Sequence, residues 1–209
     1  MNTSGEEEKA HLIMKLRGQG IRSNNVLSAI ENIPRDFFVE KALHNHAWEN
    51  VPLPIGEGQT ISQPYIVAYM TDVLKVNNRS IVLEVGTGSG YQAAILSRLC
   101  RRVYSIERIK SLHMISNQRF QALGISNIST REGDGSKGWP EVSPFDNIII
   151  TCACKIVPKT LLEQLKISGK LIAPEISDDH KQFLVLYTKI DKGKFEKKCL
   201  EEVRFVPMI

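Results

Sequence analysis

The stretch Val82-Leu83-Glu84-Val85-Gly86-Thr87-Gly88-Ser89-Gly90-Tyr91 decides the fold. A short apolar strand, Ile81 to Val85, runs into three alternate glycines, and a helix opens at Tyr91. Gly86, Gly88 and Gly90 let the backbone turn sharply and approach a ligand closely. The helix that follows points its unpaired N–H groups at the same place. Strand, glycine turn and helix in that order put a ligand site at the carboxyl edge of a doubly wound sheet.

Working outward, Val103 to Ile106 reads as a second strand ending at Glu107, followed by a helix from Leu112 to Leu123. Ile128 to Arg131 is a third strand and leads into Gly133-Asp134-Gly135. Phe145 to Thr151 is nearly continuous in Ile and Phe, the pattern of a strand covered on both faces. A helix over Pro158 to Leu165 and a strand over Lys170 to Ala173 come next. Gln182 to Thr188 and Lys198 to Phe205 read as antiparallel neighbours at one side of the sheet, with the Lys192-to-Lys198 charge run as a solvated turn between them. This alternation predicts an α/β, doubly wound, Rossmann-like fold with a mostly parallel sheet.

Ahead of this core the chain is helical and irregular. Helices are expected over Glu6 to Arg17 and Asn25 to Asn32, and another near Glu40. Val51 to Gln63 contains Pro52, Pro54, Gly56 and Gly58 and is expected to be a shaped loop without regular ladders. Pro64 then starts a helix reaching about Val76. No linker separates the regions, so residues 1–209 form one domain, with additions at 1–76 and an α/β core at 77–209.

Composition narrows the function. With 42% hydrophobic and 24% charged residues, the 209-residue chain has the balance of a soluble globular protein. No apolar run reaches the roughly 18 residues that cross a bilayer, and Met1 to Lys9 is too polar for a secretory signal. A net charge of +4 from scattered residues gives no nucleic-acid footprint. The four cysteines are too irregularly spaced for a disulfide scaffold, so the cytoplasm is the expected compartment. Cys152 and Cys154 form C-x-C and read as buried thiols. The five histidines have no metal-ligand spacing, and no metal is expected.

Three acids follow three successive strands: Glu84, Glu107 and Asp134. A carboxylate at Glu84, just before the glycine turn, disfavours a pyrophosphate and suits a cofactor that carries an ammonium. Glu107 is suited to accept both hydroxyls of a ribose, and Asp134 to meet an adenine amine. No Gly-x-x-x-x-Gly-Lys-Ser/Thr phosphate loop occurs. S-adenosylmethionine is therefore favoured over a nicotinamide dinucleotide. Each acid also has a structural alternative: a cap at Glu84, an ion pair with Arg108 or Lys110 at Glu107, and turn-shaping at Asp134.

Pro52-Leu53-Pro54-Ile55-Gly56 and Gly58-Gln59-Thr60-Ile61-Ser62-Gln63-Pro64-Tyr65 stand beside Leu83-to-Ala94 and the tail Val203-Arg204-Phe205-Val206-Pro207. On these motifs the chain resembles the protein-L-isoaspartate O-methyltransferase family through nearly its whole length. The resemblance implies a seven-stranded mixed sheet and methyl transfer from S-adenosylmethionine to the free α-carboxylate of L-isoaspartyl residues in damaged proteins or peptides. The ester then closes to a succinimide, and hydrolysis restores some normal linkage. It implies Ser62 as the active-site serine, Gln59 and Thr60 beside it on the substrate side, and Glu84, Gly86, Thr87, Gly88, Glu107, Asp134 and Gly135 on the cofactor side. It also implies a monomer. Alternatives are a carboxyl methyltransferase with another substrate, or a cofactor-binding adaptor without turnover. Departures from the family pattern occur at Trp48 and Asn50, where Tyr and Asp are common, at the Cys152/Cys154 pair, and at Glu175, where many relatives have glycine.

Overall fold

The computed structural model describes residues 3–208. The chain opens with helix α1 (Thr3–Gly18) and helix α2 (Asn24–Asn32). The Ser23 hydroxyl caps α2 by accepting the Val26 N–H, and the chain leaves helical geometry at Ile33, ahead of Pro34. Two 3-10 turns, Arg35–Phe38 and Lys41–His46, lead to strands β1 (Leu53–Gly56) and β2 (Gln59–Ile61). Helix α3 (Pro64–Leu74) begins on proline and stops where Lys75 turns left-handed at φ 54°.

The core then alternates: β3 (Ile81–Val85), α4 (Tyr91–Ser97), β4 (Arg102–Glu107), α5 (Lys110–Ala122), β5 (Ile128–Glu132), β6 (Phe145–Ile150), α6 (Lys159–Glu163), β7 (Leu165–Ile176), β8 (Gln182–Asp191) and β9 (Lys194–Val203). One seven-stranded sheet has the order β5-β4-β3-β6-β7-β8-β9. The pairs from β5 through β7 are parallel, while β7–β8 and β8–β9 are antiparallel. From β3 the chain builds outward through β4 and β5, then returns to lay β6 on the other side. The crevice between β3 and β6 is thus the topological switch point, and the glycine turn sits over it.

Side chains of β3 alternate between two apolar layers. Val82 joins the layer of α1 to α4, with Leu16, Ile30, Phe38, Met70 and Ile95. Leu83 and Val85 face the other, with Ile106, Ile148, Leu161 and Leu171.

Three expectations need correction. Val51 to Gln63 is not free of ladders: β1 and β2 pair antiparallel, Leu53 with Ile61 and Pro54 with Thr60, around a Gly56-Glu57-Gly58 tip. Both strands of a two-stranded ribbon are edges, where proline is tolerated at positions whose nitrogen faces away from the partner, and the tip residues take φ of 87°, 52° and 67°. The helix expected to reach Leu165 ends at Glu163, because Leu165 already pairs with Phe145 in the sheet. Between Leu165 and Lys170, β7 bulges at Ser168 (φ 66°). The late hairpin turns tightly at Lys192-Gly193, so Lys194 to Lys198 are strand, with their charges on an edge.

Candidate active site

The glycine turn is held from below. Gly86 N–H donates to the Ile106 carbonyl (2.9 Å), and Gly90 N–H closes the turn onto Thr87 (2.8 Å). The Thr151 hydroxyl, at the end of β6, lies 2.5 Å from the Gly86 carbonyl oxygen and 3.0 Å from that of Val85. A Cβ on Gly86 would fall 2.5 Å from that hydroxyl, so only glycine fits at its φ of 96°. Gly135 meets the same limit from Val85, whose Cγ1 would stand 2.4 Å from an added Cβ.

A cleft of about 800 Å³, counting its open mouth, runs along this turn. Gly86, Thr87, Gly88, Glu107 and Gly135 line it, and so do Gln59, Thr60 and Ser62 from the hairpin. Glu107 is 6% exposed. One carboxylate oxygen accepts the Gly88 N–H (2.7 Å) and the other the Ile109 N–H (2.9 Å). Both oxygens keep a free lone pair, which is what a vicinal diol needs.

Glu84 and Asp134 do not line the cleft. Glu84 is 0% exposed and faces the α4 side of the sheet, where its carboxylate accepts the Ser105 hydroxyl. Ser105 in turn lies 2.5 Å from the Thr87 hydroxyl, so Glu84 supports the glycine turn through two side chains. Burial pushes the Glu84 carboxyl up to about 8, against a counter-effect from Ser105 and a further upward push from Glu107. Asp134 is exposed and accepts both the N–H (3.0 Å) and the hydroxyl (2.7 Å) of Ser136, capping the turn that presents Gly135. Hydrogen bonds from Ser136 hold its carboxyl below the ordinary range. Asp134 sits in the turn-shaping place of its structural alternative, while Glu84 meets Ser105 and through it Thr87, instead of the cap its alternative named.

The cleft also uses residues that sequence patterning missed. Thr151 and Cys152 form its floor beyond β6, Ile109 and Leu112 one side, and Val206, Pro207 and Met208 another. The tail is tied in by Ala153 N–H to Val206 (2.8 Å) and Met208 N–H to Ala153 (2.7 Å). Burial raises the Cys152 thiol to about 12, so it stays neutral. The tail motif was legible as a motif but not as a wall of this cleft, because its approach to β6 is a contact between distant parts of the chain.

A second groove opens beside the cleft and shares Thr60, Ser62, Thr151 and Val206 with it. Its far side is made by Pro52, Gln63, Ile66 and the end of β9 running into the tail. Ser62 is half-buried on the ridge between the two spaces. Asn50 braces the ridge: its side-chain oxygen accepts the Tyr65 N–H (2.9 Å) at the start of α3, and its carbonyl accepts the Gln63 amide (2.7 Å). The amide of Asn50 also reaches Gln19 (3.1 Å), so asparagine keeps the capping acceptor of an aspartate and adds a donor.

A seven-stranded sheet in which β8 alone runs against the rest, a glycine turn at its switch point and a carboxylate after the next strand define a Rossmann-like S-adenosylmethionine-dependent methyltransferase. The glycine cradle that admits no Cβ, and the Glu107 oxygens with lone pairs to spare, fit that cofactor. The model of the family described as protein-L-isoaspartate(D-aspartate) O-methyltransferase matches residues 7–209, and the chain belongs to that family. A protein-L-isoaspartate O-methyltransferase of Parvibaculum lavamentivorans is 51% identical over 207 residues, covering 98% of this chain and 93% of the relative. A solved protein-L-isoaspartate O-methyltransferase superposes with a TM-score of 0.89 at 31% identity, over 95% of this chain and 65% of that longer one. A Plasmodium falciparum structure in complex with S-adenosyl-L-homocysteine shares the fold at 24% identity, with a TM-score of 0.84 over 97% of this chain and 98% of that one.

Proposed function

We propose that the cleft holds S-adenosylmethionine, that the adjoining groove takes a peptide, and that Ser62 joins the two by donating a hydrogen bond to the reacting carboxylate. The chain is a protein-L-isoaspartate O-methyltransferase, and the observation that carries this division of labour is the ridge shared by cleft and groove at Thr60 and Ser62. When bound, the cofactor supplies an activated methyl group on a sulfonium. Gly86, Thr87 and Gly88 would pass its backbone closely, and Glu107 would take the ribose hydroxyls. Gly135 would leave room on the base side, where Asp134 holds the turn.

The acceptor needs no general base, because a carboxylate with a pKa near 4 is already ionised at neutral pH. The protein's work is to orient that anion and keep water out. Ser62 supplies a neutral donor, Thr60 stands beside it, and Gln59 closes the cofactor end of the hairpin. The hairpin is seated for this work: Ile55 Cδ1 would lie 3.5 Å from a Cβ on Gly88, and Ser111 of α5 donates to the Glu57 carboxylate (2.7 Å). Methylation of the α-carboxylate starts the cycle through succinimide. The free cysteines support the cytoplasm as the compartment, and a monomer is the proposed working form. No helix of the described residues is long and apolar enough to cross a membrane.

Initial methylation rates on isoaspartyl and ordinary aspartyl peptides, for wild type and Ser62→Ala, test this reading. Ser62→Ala is expected to keep S-adenosylmethionine affinity and to lose about 1–3 kcal/mol in kcat/KM for the isoaspartyl peptide. Unchanged peptide kinetics in the folded variant would reject the role of Ser62. Equal use of ordinary aspartyl peptide by the wild type would reject the substrate.

A further inference from the structure

Arg35 lies in the 3-10 turn after α2 and is 0% exposed. Its guanidinium donates to three main-chain carbonyls: those of Ala47, Val51 (3.1 Å) and Ser62 (2.9 Å). Val51 precedes β1 and Ser62 follows β2, so one planar group ties together both ends of the β-hairpin. None of the ion pairs among the described residues involves Arg35. The ring of Tyr91 lies 5.8 Å from the guanidinium carbon. Burial lowers the group to about 10, which leaves it charged at neutral pH.

A buried cation without a carboxylate partner is an expensive way to hold a loop. Neutral amides bond carbonyls at less desolvation cost. One property is particular to arginine here. The rigid fork reaches three acceptors at fixed angles, which an ammonium on a flexible stem cannot reproduce. We propose that Arg35 is a positioning residue for methyl transfer, setting Ser62 through its main-chain carbonyl. This rests on the reading of Ser62 as the donor to that carboxylate.

A double-mutant cycle of Arg35→Lys and Ser62→Ala tests the inference, with isoaspartyl peptide kcat and KM, S-adenosylmethionine affinity by titration, and thermal unfolding measured for each protein. Arg35→Lys is expected to lower kcat/KM for the peptide about tenfold, through KM more than kcat, with cofactor affinity within about twofold of wild type. In the Ser62→Ala background the same change is expected to cost less than about twofold, because the group it positions is gone. A purely structural arginine would give equal losses in both backgrounds, and that additivity would overturn the proposal, as would wild-type peptide kinetics in folded Arg35→Lys. Unaltered kinetics in Ser62→Ala alone would instead overturn the underlying reading of Ser62. If Arg35→Lys does not fold, the cycle is run with Arg35→Gln. Failure of both to fold would assign Arg35 to stability and overturn the positioning role.

Discussion

Glu84 and Glu107 both stand near the carboxyl ends of neighbouring strands, one under a helix and one in the cleft. Their chemistry diverges accordingly. The carboxyl of Glu84, raised to about 8 from an ordinary 4.5, is protonated in the folded protein where the unfolded chain would ionise it. Its contribution to stability is full below about pH 4.5 and is lost as pH rises toward 8. Glu84→Gln, neutral at every pH, should flatten the stability profile in that window, where the wild type loses on the order of a few kcal/mol. Denaturant unfolding at pH 5 and pH 8 checks this, and parallel slopes for the two proteins would refute it. Glu107→Gln should weaken S-adenosylmethionine binding by about 1–3 kcal/mol. Each carboxylate oxygen already accepts a main-chain N–H, so the new amide must turn a donor against one of them. Titration of the folded variant with unchanged affinity would rule that out. The glycine spacing and Glu107 were legible in the sequence, because they follow a strand at fixed offsets. The face taken by Glu84 was not: strand residues alternate, and nothing local says which face receives the ligand.

The β1–β2 hairpin carries the substrate-side motif, and its prolines and glycines hid a ladder. The Glu57 tip docks on Ser111 of α5, across the cofactor cleft, so two segments 54 residues apart close one roof. Such contacts between distant segments are what patterning along a sequence leaves out. The β7–β8–β9 side explains another departure. Glu175 is 8% exposed and accepts the Tyr187 hydroxyl (2.8 Å), the Val157 N–H (3.1 Å) and the Lys197 ammonium. Together with Cys154 N–H to Pro174 (3.1 Å) and Ile176 N–H to Cys154 (2.9 Å), it fastens the loop after β6 against β7. Lys197 sits where a solvated turn was expected, and the strand register brings it opposite Tyr187. Glu175→Ala should cost roughly 2–4 kcal/mol, since it leaves the buried Val157 N–H and the Tyr187 hydroxyl without their acceptor. A denaturant midpoint equal to wild type would show the network to be dispensable.

One apolar layer runs through Leu12, Ile30, Phe38, Met70, Ile95 and Val103, so the helices before residue 77 and the sheet after it share a core. The doubly wound core was readable because strand and helix periods alternate cleanly. We expect calorimetry to show a single unfolding transition whose midpoint is independent of protein concentration, as for a monomer of 23.5 kDa. Two resolved transitions would divide the chain into separate units, and a midpoint rising with concentration would reveal association. The tail at Val206, Pro207 and Met208 walls the cofactor cleft and bonds to Ala153. During synthesis the hairpin, the glycine turn and both acids emerge from the ribosome before this wall exists. A nascent chain that has not reached residue 206 therefore has an unfinished cofactor pocket.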